Sequence, residues 1–346
     1  MNYTITQNLD DPRISPFLIQ DKRASVYHHP AWLKALVFAY GFDLYYLILE
    51  KKDDNSIVGL MPFVLKKNLK RKKRIVSLPF TTHCDLILPE NISLGEIFNV
   101  LSDQISEIDS IDLRLVNGIV PSGFSISQEY LLHKIELGAT IDETFQSFGR
   151  RSIKRNIRKA EKNNLKIRFG DSIDDLKIFY ELEKKTRKKI GLPPAPFNFF
   201  LKIWENLKIY NLVLLPIIEY NSVPVASSIV LKFKDTFYFE YTGIDKDYII
   251  LNPNYLLHWE VIKIAQTENN AKYIDMGRTA VNHQSLIDFK EKWNAKALPI
   301  YRLRFPEDNN KKLRNGRLYE AFKYINKQLP AKILELEGNL FFRHID

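Results

Sequence analysis

The 346-residue chain has only one cysteine, Cys84, and only 13 glycines. A single cysteine cannot form a disulfide within the chain, which favours a reducing, cytoplasmic setting. Few glycines leave little material for loops that hold phosphate groups. No apolar run approaches the roughly 18 residues that a membrane span needs. The polar residues Asp10, Asp11 and Pro12, where a signal peptide would be apolar, favour a protein that is not exported.

Several catalytic signatures are also missing. The sequence contains no Walker motif, dinucleotide glycine fingerprint, cysteine pair, His-Glu-x-x-His motif or Gly-x-Ser-x-Gly elbow. Their absence argues against a P-loop ATPase, a Rossmann dehydrogenase, a zinc enzyme and a serine hydrolase. The adjacent His28 and His29 would point in different directions on a regular element, so we interpret them as surface or capping groups and expect no metal.

Positive charge is in excess and is clustered. The chain has 51 Lys and Arg against 41 Asp and Glu, a net charge of +10. The excess is concentrated in three stretches, at residues 66–74, 150–162 and 184–189. Such clusters attract phosphorylated substrates, nucleic acid or an anionic membrane surface. The plain alternative is solvated surface charge in a lysine-rich protein.

The stretch 212–293 has the most informative pattern. Apolar and β-branched runs separated by short turns at 220–222 and 234–235 predict a three-stranded meander. A helix follows, with Pro253 suited to its first turn. The chain must then cross over before the strand 272–275 can pair with the same sheet. Asp275 and the polar residues after it are therefore expected at a sheet edge beside a crossover, and a second helix is predicted at 284–293.

The first half repeats this order of hairpin, third strand, helix and strand between residues 44 and 115. We interpret the repeat as a duplication that gives an α+β fold of two similar domains facing each other across a cleft. Chance recurrence of a common α+β pattern is the alternative. The chain is long enough for two cores, and we place the first domain at 1–150 and the second, with a C-terminal helical extension, at 151–346.

Four short motifs occur in an order that resembles a known family. A strand ends in Asp-Met-Gly-Arg at 275–278, and Phe-Lys-Glu-Lys-Trp follows at 289–293. Thr-Arg-Lys-Lys-Ile-Gly lies at 186–191, and the chain finishes with Leu-Pro at 329–330 and Phe-Arg-His at 342–344. These motifs resemble those of the GNAT-like transferases related to FemA, FemB and FemX. The long coiled-coil hairpin of some Fem proteins has no counterpart here, so the BioF2-like acyltransferases are the closer match.

The resemblance implies two tandem GNAT-like domains, each a mixed β-sheet flanked by helices. It also implies an N-acyltransferase or aminoacyltransferase that transfers an acyl group to an amine of a cell-envelope precursor, a peptidoglycan, polysaccharide or lipid. The donor would be an acyl-CoA, an acyl carrier protein or an aminoacyl-tRNA, and the acceptor an anionic envelope precursor. Peripheral contact with an anionic membrane is a further expected interaction.

Three residues are candidates for catalysis: Asp275, Lys290 and Tyr241. Lys290 matches the lysine of the family's Phe-Lys motif and could stabilise the negative carbonyl oxygen of the transition state or a donor phosphate. An exposed helical lysine is the alternative. Tyr241 could protonate the leaving group, or it could be a buried aromatic residue.

Five further residues are candidates for substrate binding: Asp85, Thr186, Arg187, Arg278 and Phe289. Asp85 corresponds to the family's acceptor-side aspartate. Arg278 could clamp a phosphate or carboxylate with two hydrogen bonds, or it could only pair with the nearby aspartate of its own strand. A second hypothesis for the whole chain is a catalytically silent protein that binds an anionic glycan, lipid or RNA.

Overall fold

A computed structural model of the chain describes residues 1–67, 72–116, 123–149, 151–306 and 316–342, with side chains omitted at 151 and 316–319. Part of the basic cluster at 66–74 and the residues 343–344 of the terminal motif therefore lie outside the described residues. By its contacts the chain divides into two compact units. The first unit comprises Met1–Leu132, Arg278–Asn282 and Leu298–Lys311, and the second comprises His133–Gly277, His283–Ala297 and Lys312–Asp346. The domain boundary predicted at residue 150 stays a prediction.

The first repeat begins with a strand and two helices and continues as a meander. Its elements are β1 (Asn2–Thr6), α1 (Ile14–Gln20), α2 (Pro30–Tyr40), β2 (Leu44–Glu50), β3 (Ile57–Lys67), β4 (Lys73–Val76), α3 (Leu94–Gln104) and β5 (Ile108–Leu115). β1, β2, β3 and β4 pair antiparallel in that order, and β5 pairs parallel with β4. The parallel pair requires the crossover helix α3, which begins after Ser93, whose side chain accepts a hydrogen bond from the N–H of Glu96.

Three elements follow the first repeat. They are β6 (Ser125–Glu136), α4 (Ile141–Ser147) and α5 (Arg151–Lys162). α4 begins after Thr140, whose side chain accepts a hydrogen bond from the N–H of Glu143, so the capping pattern in the sequence correctly marks its start.

The second repeat has the same order of elements, except that two short strands replace the first repeat's β2. Its elements are β7 (Lys166–Phe169), α6 (Ile173–Ile190), α7 (Phe197–Lys208), β8 (Val213–Leu214), β9 (Pro216–Tyr220), β10 (Val223–Phe233), β11 (Thr236–Ile244), α8 (Pro253–Asn269) and β12 (Tyr273–Ala280). β7, β9, β10 and β11 pair antiparallel, and β12 pairs parallel with β11. The sheet order therefore matches that of the first repeat strand for strand, which is the arrangement that the repeated sequence pattern predicts.

The remaining elements are α9 (Gln284–Lys292), β13 (Lys296–Phe305), α10 (Gly316–Gln328) and α11 (Ala331–Phe341). In the first unit β13 pairs antiparallel with β5, from Tyr301 opposite Leu115 to Phe305 opposite Ile111. Neither β13 nor α11 is predicted by the sequence patterns. The strand predicted at 212–219 is interrupted at residue 215 and forms β8 and β9.

Each unit has its own apolar core. In the first unit, the inward residues of β2, β3 and β5 pack with Ile97 and Leu101 of α3. In the second unit, α8 contributes Leu257, Val261 and Ile262, which are fully buried. The strands of each unit can therefore be stabilised by burial within that unit, as a duplicated fold requires.

Candidate functional site

The parallel pair β11 and β12 opens at its carboxyl end. Its ladder runs from Thr236 opposite Tyr273 to Tyr238 opposite Asp275 and ends there, although β11 continues to Ile244. On its other side, β11 has a bulge at this point, because Tyr241 pairs with Ile229 and Phe239 with Val230, which leaves Glu240 as the extra residue. A bulge bends a strand and redirects its side chains. The strands β11 and β12 therefore separate where Glu240 and Asp275 lie.

Lys290 of α9 is buried at this place, with only 6% of its surface exposed. Its Nζ donates a hydrogen bond of 2.8 Å to the carbonyl oxygen of Gly277. Burial lowers the pKa of Lys290 to about 8, and the nearby carboxylates of Asp275 and Glu240 limit this fall. The structure thus brings Lys290 together with Asp275 and places the lysine inside the protein, not on an exposed helix surface.

Asp275 and Gly277 form a tight turn within β12. Asp275 is 2% exposed and its Oδ1 accepts a hydrogen bond of 2.7 Å from the N–H of Gly277. Gly277 has φ +73°, and a Cβ at this position would lie 3.3 Å from the carbonyl oxygen of Phe239. Glycine suits this conformation and this close approach to β11. The turn therefore fixes the carbonyl group to which Lys290 donates.

A cluster of aromatic side chains includes Phe289, the residue before the buried lysine. The His258 ring of α8 stacks on Phe239 at 4.4 Å between centroids, and Phe289 and Trp293 lie 5.9 and 5.5 Å from His258. Burial lowers the pKa of His258 to about 4, and the charge of Lys290 contributes to the lowering. His258 is therefore neutral at pH 7. Its Nδ1 donates a hydrogen bond of 2.8 Å to the Asn254 carbonyl oxygen.

Sequence reasoning missed Glu240 and His258, and it assigned no role to Gly277 although this residue lies in the Asp-Met-Gly-Arg motif. The glycine two residues after a strand-terminal aspartate is a signal that could have been used, because such a glycine commonly marks a special backbone conformation. Glu240 and His258 carry no comparable signal, since a bulge and a ring stacked across two elements arise only from tertiary packing.

Tyr241 lies on β11 and packs its ring against Phe199 and Phe200 of α7, at 5.7 and 5.1 Å between centroids. Its side chain is half-buried. The packing agrees with the aromatic alternative from the sequence, and a role in protonating a leaving group stays a prediction.

Thr186 and Arg187 are held by contacts of α6. Thr186 Oγ1 accepts a hydrogen bond of 2.8 Å from the Ile244 N–H and lies 3.3 Å from the Ile244 carbonyl oxygen, to which it donates. Arg187 Nε donates at 2.6 Å to Glu183, a carboxylate that is 2% exposed and whose pKa is raised by burial. The hydrogen bonds of Thr186 tie α6 to β11, and the pair of Arg187 with Glu183 lies within α6. A role of either residue in substrate binding stays a prediction.

Asp85 belongs to the first unit and is engaged by its neighbours there. Its Oδ1 accepts a hydrogen bond of 2.6 Å from the Val116 N–H, and its carbonyl oxygen accepts one of 2.7 Å from His28 Nε2. His28 and His29 are both buried. His29 caps α2 by accepting from the Ala31 N–H at 3.1 Å, and His28 Nδ1 accepts from the Ser25 N–H at 3.1 Å in the capping box of the short helix Val26–His28. The capping interpretation is therefore confirmed for both histidines, and a surface location is wrong for both.

Arg278 also lies in the first unit. Its guanidinium stands over the Tyr130 ring at 5.0 Å from the centroid and donates to the Thr81 carbonyl oxygen at 3.4 Å. The planar guanidinium is suited to such stacking, so part of its surface is used by the protein itself.

The basic clusters of α5 and α6 differ in their partners. On α6, Lys184 pairs with Glu181 at 2.7 Å and Lys185 with Asp245 at 2.5 Å. On α5, Ile153, Ile157 and Ala160 are buried. Its outward cations line a groove of about 820 Å³ with Ser152: Lys154, Arg155, Arg158, Lys159 and Lys162. Within the described part of the chain, none of these five cations forms an ion pair, so α5 retains a positive surface.

No group of three or more His, Cys, Asp or Glu side chains in the described part of the chain is placed to hold a metal ion. Among the same residues, no helix is long and apolar enough to cross a membrane.

Comparison with known families finds a similarity in the second repeat. Residues 147–290, which include Tyr241, Asp275 and Lys290, match the model of an acetyltransferase (GNAT) domain. No curated protein matches the chain in sequence.

Solved structures extend the likeness to nearly the whole chain. FemX is similar with a TM-score of 0.70 and 13% identity, covering 93% of this chain and 100% of FemX. The C-terminal domain of a putative lysylphosphatidylglycerol synthetase from Agrobacterium fabrum has a TM-score of 0.56 and 9% identity, with 85% and 90% covered. A tandem GNAT protein from the clavulanic acid biosynthesis pathway has a TM-score of 0.52 and 8% identity, covering 87% of this chain and 98% of that protein. The expected FemX-like fold of two tandem GNAT-like domains is therefore confirmed.

Proposed function

We propose that the protein is an acyltransferase that transfers an acyl or aminoacyl group to an amine of a cell-envelope precursor. The observation that carries this proposal is the buried Lys290, which contacts the glycine of a tight turn where the bulged β11 parts from β12. This arrangement lies inside the stretch that matches an acetyltransferase domain. We assign Lys290, Asp275 and Tyr241 to the chemistry.

The proposed reaction joins the acceptor nitrogen to the carbonyl carbon of the donor. As the C–N bond forms, the carbonyl oxygen becomes negative, and the C–S or C–O bond to the leaving group then breaks. A cation already held in a water-poor site stabilises that oxygen strongly. An ammonium group has three N–H donors, of which Gly277 takes one, and Lys290 is protonated below a pH of about 8.

The proton balance requires two further groups. The attacking amine must lose a proton, and Glu240, whose charge acts on Lys290, is the carboxylate that we assign to accept it. The leaving sulfur or oxygen must gain a proton, and we assign Tyr241 to donate it. Asp275 acts by holding the Gly277 turn, and Phe289 contributes to the aromatic wall beside the lysine.

The acceptor class is supported by the fold and the charge. FemX and a putative lysylphosphatidylglycerol synthetase share the fold, and a net charge of +10 favours anionic acceptors. We place Asp85, Thr186, Arg187 and Arg278 on the substrate side. We further propose a cytoplasmic protein of the BioF2-like branch that contacts an anionic membrane.

The experiment that tests the proposed function compares the three classes of donor. Purified protein is incubated with radiolabelled acyl-CoA, acyl carrier protein or aminoacyl-tRNA and with an amine-bearing envelope precursor or a simple amine. Transfer of label from one donor class to the amine supports the proposal and names the donor. Absence of transfer from all three, with donor binding intact, contradicts it.

A silent binding protein is the second candidate, and the α5 surface favours it. Exposed cations without ion-pair partners bind polyanions with a strong dependence on salt. Such a protein would bind an anionic glycan, lipid or RNA, lose it as salt rises, and turn over no donor. Charge-neutralising changes at Lys159 and Lys162 would then abolish its main activity, whereas a transferase would keep its chemical step.

A further inference from the structure

The C-terminal helices α10 and α11 are firmly seated on their own unit. A Cβ on Gly338 of α11 would lie 2.1 Å from the Pro194 carbonyl oxygen, and one on Gly191 would lie 2.1 Å from the Lys323 carbonyl oxygen of α10. Leu334 is 1% exposed, and Asn326 donates to Glu337 at 3.2 Å between the two helices. The orientation of both helices is therefore fixed by close packing.

The opposite face of α11 is also apolar. Ile333, Leu336 and Leu340 follow one another at helical spacing and are 45%, 61% and 65% exposed. They lie across the helix from Leu334 and Gly338, which are buried. A surface helix normally carries polar residues on its outer face, so this helix has an apolar face without a partner among the described residues.

Neighbouring side chains enlarge this surface. Phe341 at the end of α11 is 57% exposed, and Tyr324 and Ile325 of α10 are 69% and 58% exposed. Exposed apolar side chains grouped in this way mark an interaction site more often than chance exposure does. We call these six residues the C-terminal apolar surface: Tyr324, Ile325, Ile333, Leu336, Leu340 and Phe341.

The acidic side chains of the two helices have partners within the protein, since Glu320 pairs with Lys323 at 3.0 Å and Glu337 accepts a hydrogen bond from Asn326 at 3.2 Å. Glu335 faces the protein, where it accepts a hydrogen bond of 3.3 Å from the Tyr180 hydroxyl and pairs with Lys184 at 3.4 Å. Lys327 and Lys332 are exposed and form no ion pair within the described residues. Apart from the Glu320–Lys323 pair, the solvent side combines apolar side chains, a tyrosine and two lysines without ion pairs among the described residues, a composition suited to the boundary between acyl chains and anionic headgroups.

We infer that the C-terminal apolar surface docks on an anionic lipid bilayer, with its apolar side chains among the acyl chains and Lys327 and Lys332 at the headgroups. The protein then lies on the membrane and does not span it. This inference deepens the proposed function. The link between membrane docking and a lipid-borne acceptor rests on that proposed function.

Vesicle sedimentation tests the inference with the full chain. Wild-type protein is mixed with vesicles of phosphatidylcholine alone or of equal parts phosphatidylcholine and phosphatidylglycerol. We expect binding to the anionic vesicles only. The double variant Leu336→Gln/Leu340→Gln should lose at least about tenfold in partitioning because two apolar side chains no longer enter the bilayer. Lys327→Gln/Lys332→Gln should lose about tenfold or more, since each lysine near an anionic surface contributes to binding.

Matched controls separate this surface from general stickiness and charge. Ile209→Gln changes an exposed isoleucine elsewhere in the same unit, which is 80% exposed, and Lys159→Gln/Lys162→Gln removes two cations from α5. Both should bind like wild type. Equal binding of the leucine variant and wild type, or loss of binding only in the α5 variant, overturns the inference. A wild-type dimer that the leucine variant dissociates, without vesicle binding by either, assigns the surface to a second copy and also overturns it.

Acyl transfer to a water-soluble amine distinguishes failure of the inference from failure of the proposed function. The leucine variant should transfer at the wild-type rate in solution while failing to bind vesicles. A protein that binds anionic vesicles through this surface but transfers nothing would retain the docking inference and contradict the transferase proposal.

Discussion

The two repeats place an aspartate at the same point of the sheet but surround it differently. Asp112 is the last partner of β4 in the parallel ladder of the first repeat, opposite Val76, and Asp275 is the last partner of β11 in the second, opposite Tyr238. Both are buried. The fold has therefore preserved the position, and the neighbours decide what each carboxylate does.

In the first unit, arginines neutralise the aspartate. Arg302 donates to both oxygens of Asp112 at 2.7 Å, and Arg74 also forms a hydrogen bond with it. Burial opposes ionisation of Asp112, but these arginines hold its pKa below the usual value. Ser77 continues the link between β4 and β5, because its N–H donates to the Asp112 carbonyl oxygen at 3.0 Å.

In the second unit, the corresponding aspartate holds a turn and influences a lysine. Asp275 accepts from Gly277, and its charge acts on Lys290, whose pKa is about 8. The first repeat therefore uses this position to bind the arginines of neighbouring strands. The other repeat leaves two strands apart around an ionisable amine, which is the feature suited to chemistry.

The largest expected effect is a difference in stability between variants of the two aspartates. Asp112→Asn should lower the free energy of unfolding by about 3 kcal/mol, because it removes the charge of a buried carboxylate that pairs with partly exposed arginines. Asp275→Asn should cost less, since an amide oxygen can still accept from Gly277, and should reduce transfer instead. Urea unfolding and transfer assays of both variants test this contrast. Equal losses of stability would remove the distinction between the repeats.

The next prediction concerns pH. The pKa of Lys290 is about 8 in the folded protein against 10.5 for the unperturbed group, so between these values the unfolded chain binds more protons. Stability should therefore rise with pH across this window, by on the order of 3 kcal/mol relative to Lys290→Met. Urea unfolding at both ends of the window measures it. Parallel pH dependences in wild type and variant would show that Lys290 does not titrate there.

A smaller effect is expected at Gly277. Residue 114 is an arginine two positions after Asp112, whereas Gly277 follows Asp275 at the same spacing with φ +73°. Gly277→Ala should cost about 1–2 kcal/mol because an L side chain is strained in this region, and it should reduce transfer by shifting the carbonyl group held by Lys290. Arg114→Ala is the matched control and should retain transfer. A Gly277→Ala protein with normal stability and transfer would contradict the role of the turn.

The smallest expected effect concerns what holds β11 in place. Thr186→Val removes both hydrogen bonds to the Ile244 backbone and should cost about 1 kcal/mol. Thr186→Ser retains the hydroxyl and should retain the stability. Thermal unfolding compares the two. If Thr186→Val is as stable as wild type but binds acceptor poorly, Thr186 acts in substrate binding and not in supporting the strand.

Much of the fold could be predicted from local patterns. β10 and α10 have the predicted bounds, because turn residues delimit β10 and helical spacing marks α10. The repeated order of elements was also predicted. The strand β13 was not, because its Lys and Arg residues obscure an alternating pattern and its position is fixed only by pairing with β5.

Two residues of the candidate site could be selected from the sequence, but their environment could not. Asp275 and Lys290 could be selected from motifs, yet their proximity depends on the turn at Gly277. The sequence around Lys290 is Phe-Lys-Glu-Lys, which is typical of an exposed helix, and only tertiary packing buries this lysine. In the same way, Arg302 neutralises a residue 190 positions away, a pairing that no local pattern reveals.

The most direct test of the account is the transfer rate of Lys290→Met beside that of Lys292→Met, which removes a lysine two residues along the same helix. We predict that Lys290→Met loses transfer at least about a hundredfold while remaining folded, because the cation that stabilises the transition state is gone. We predict that Lys292→Met transfers at the wild-type rate. Equal rates for Lys290→Met and wild type would contradict the assignment of the chemistry to the second repeat.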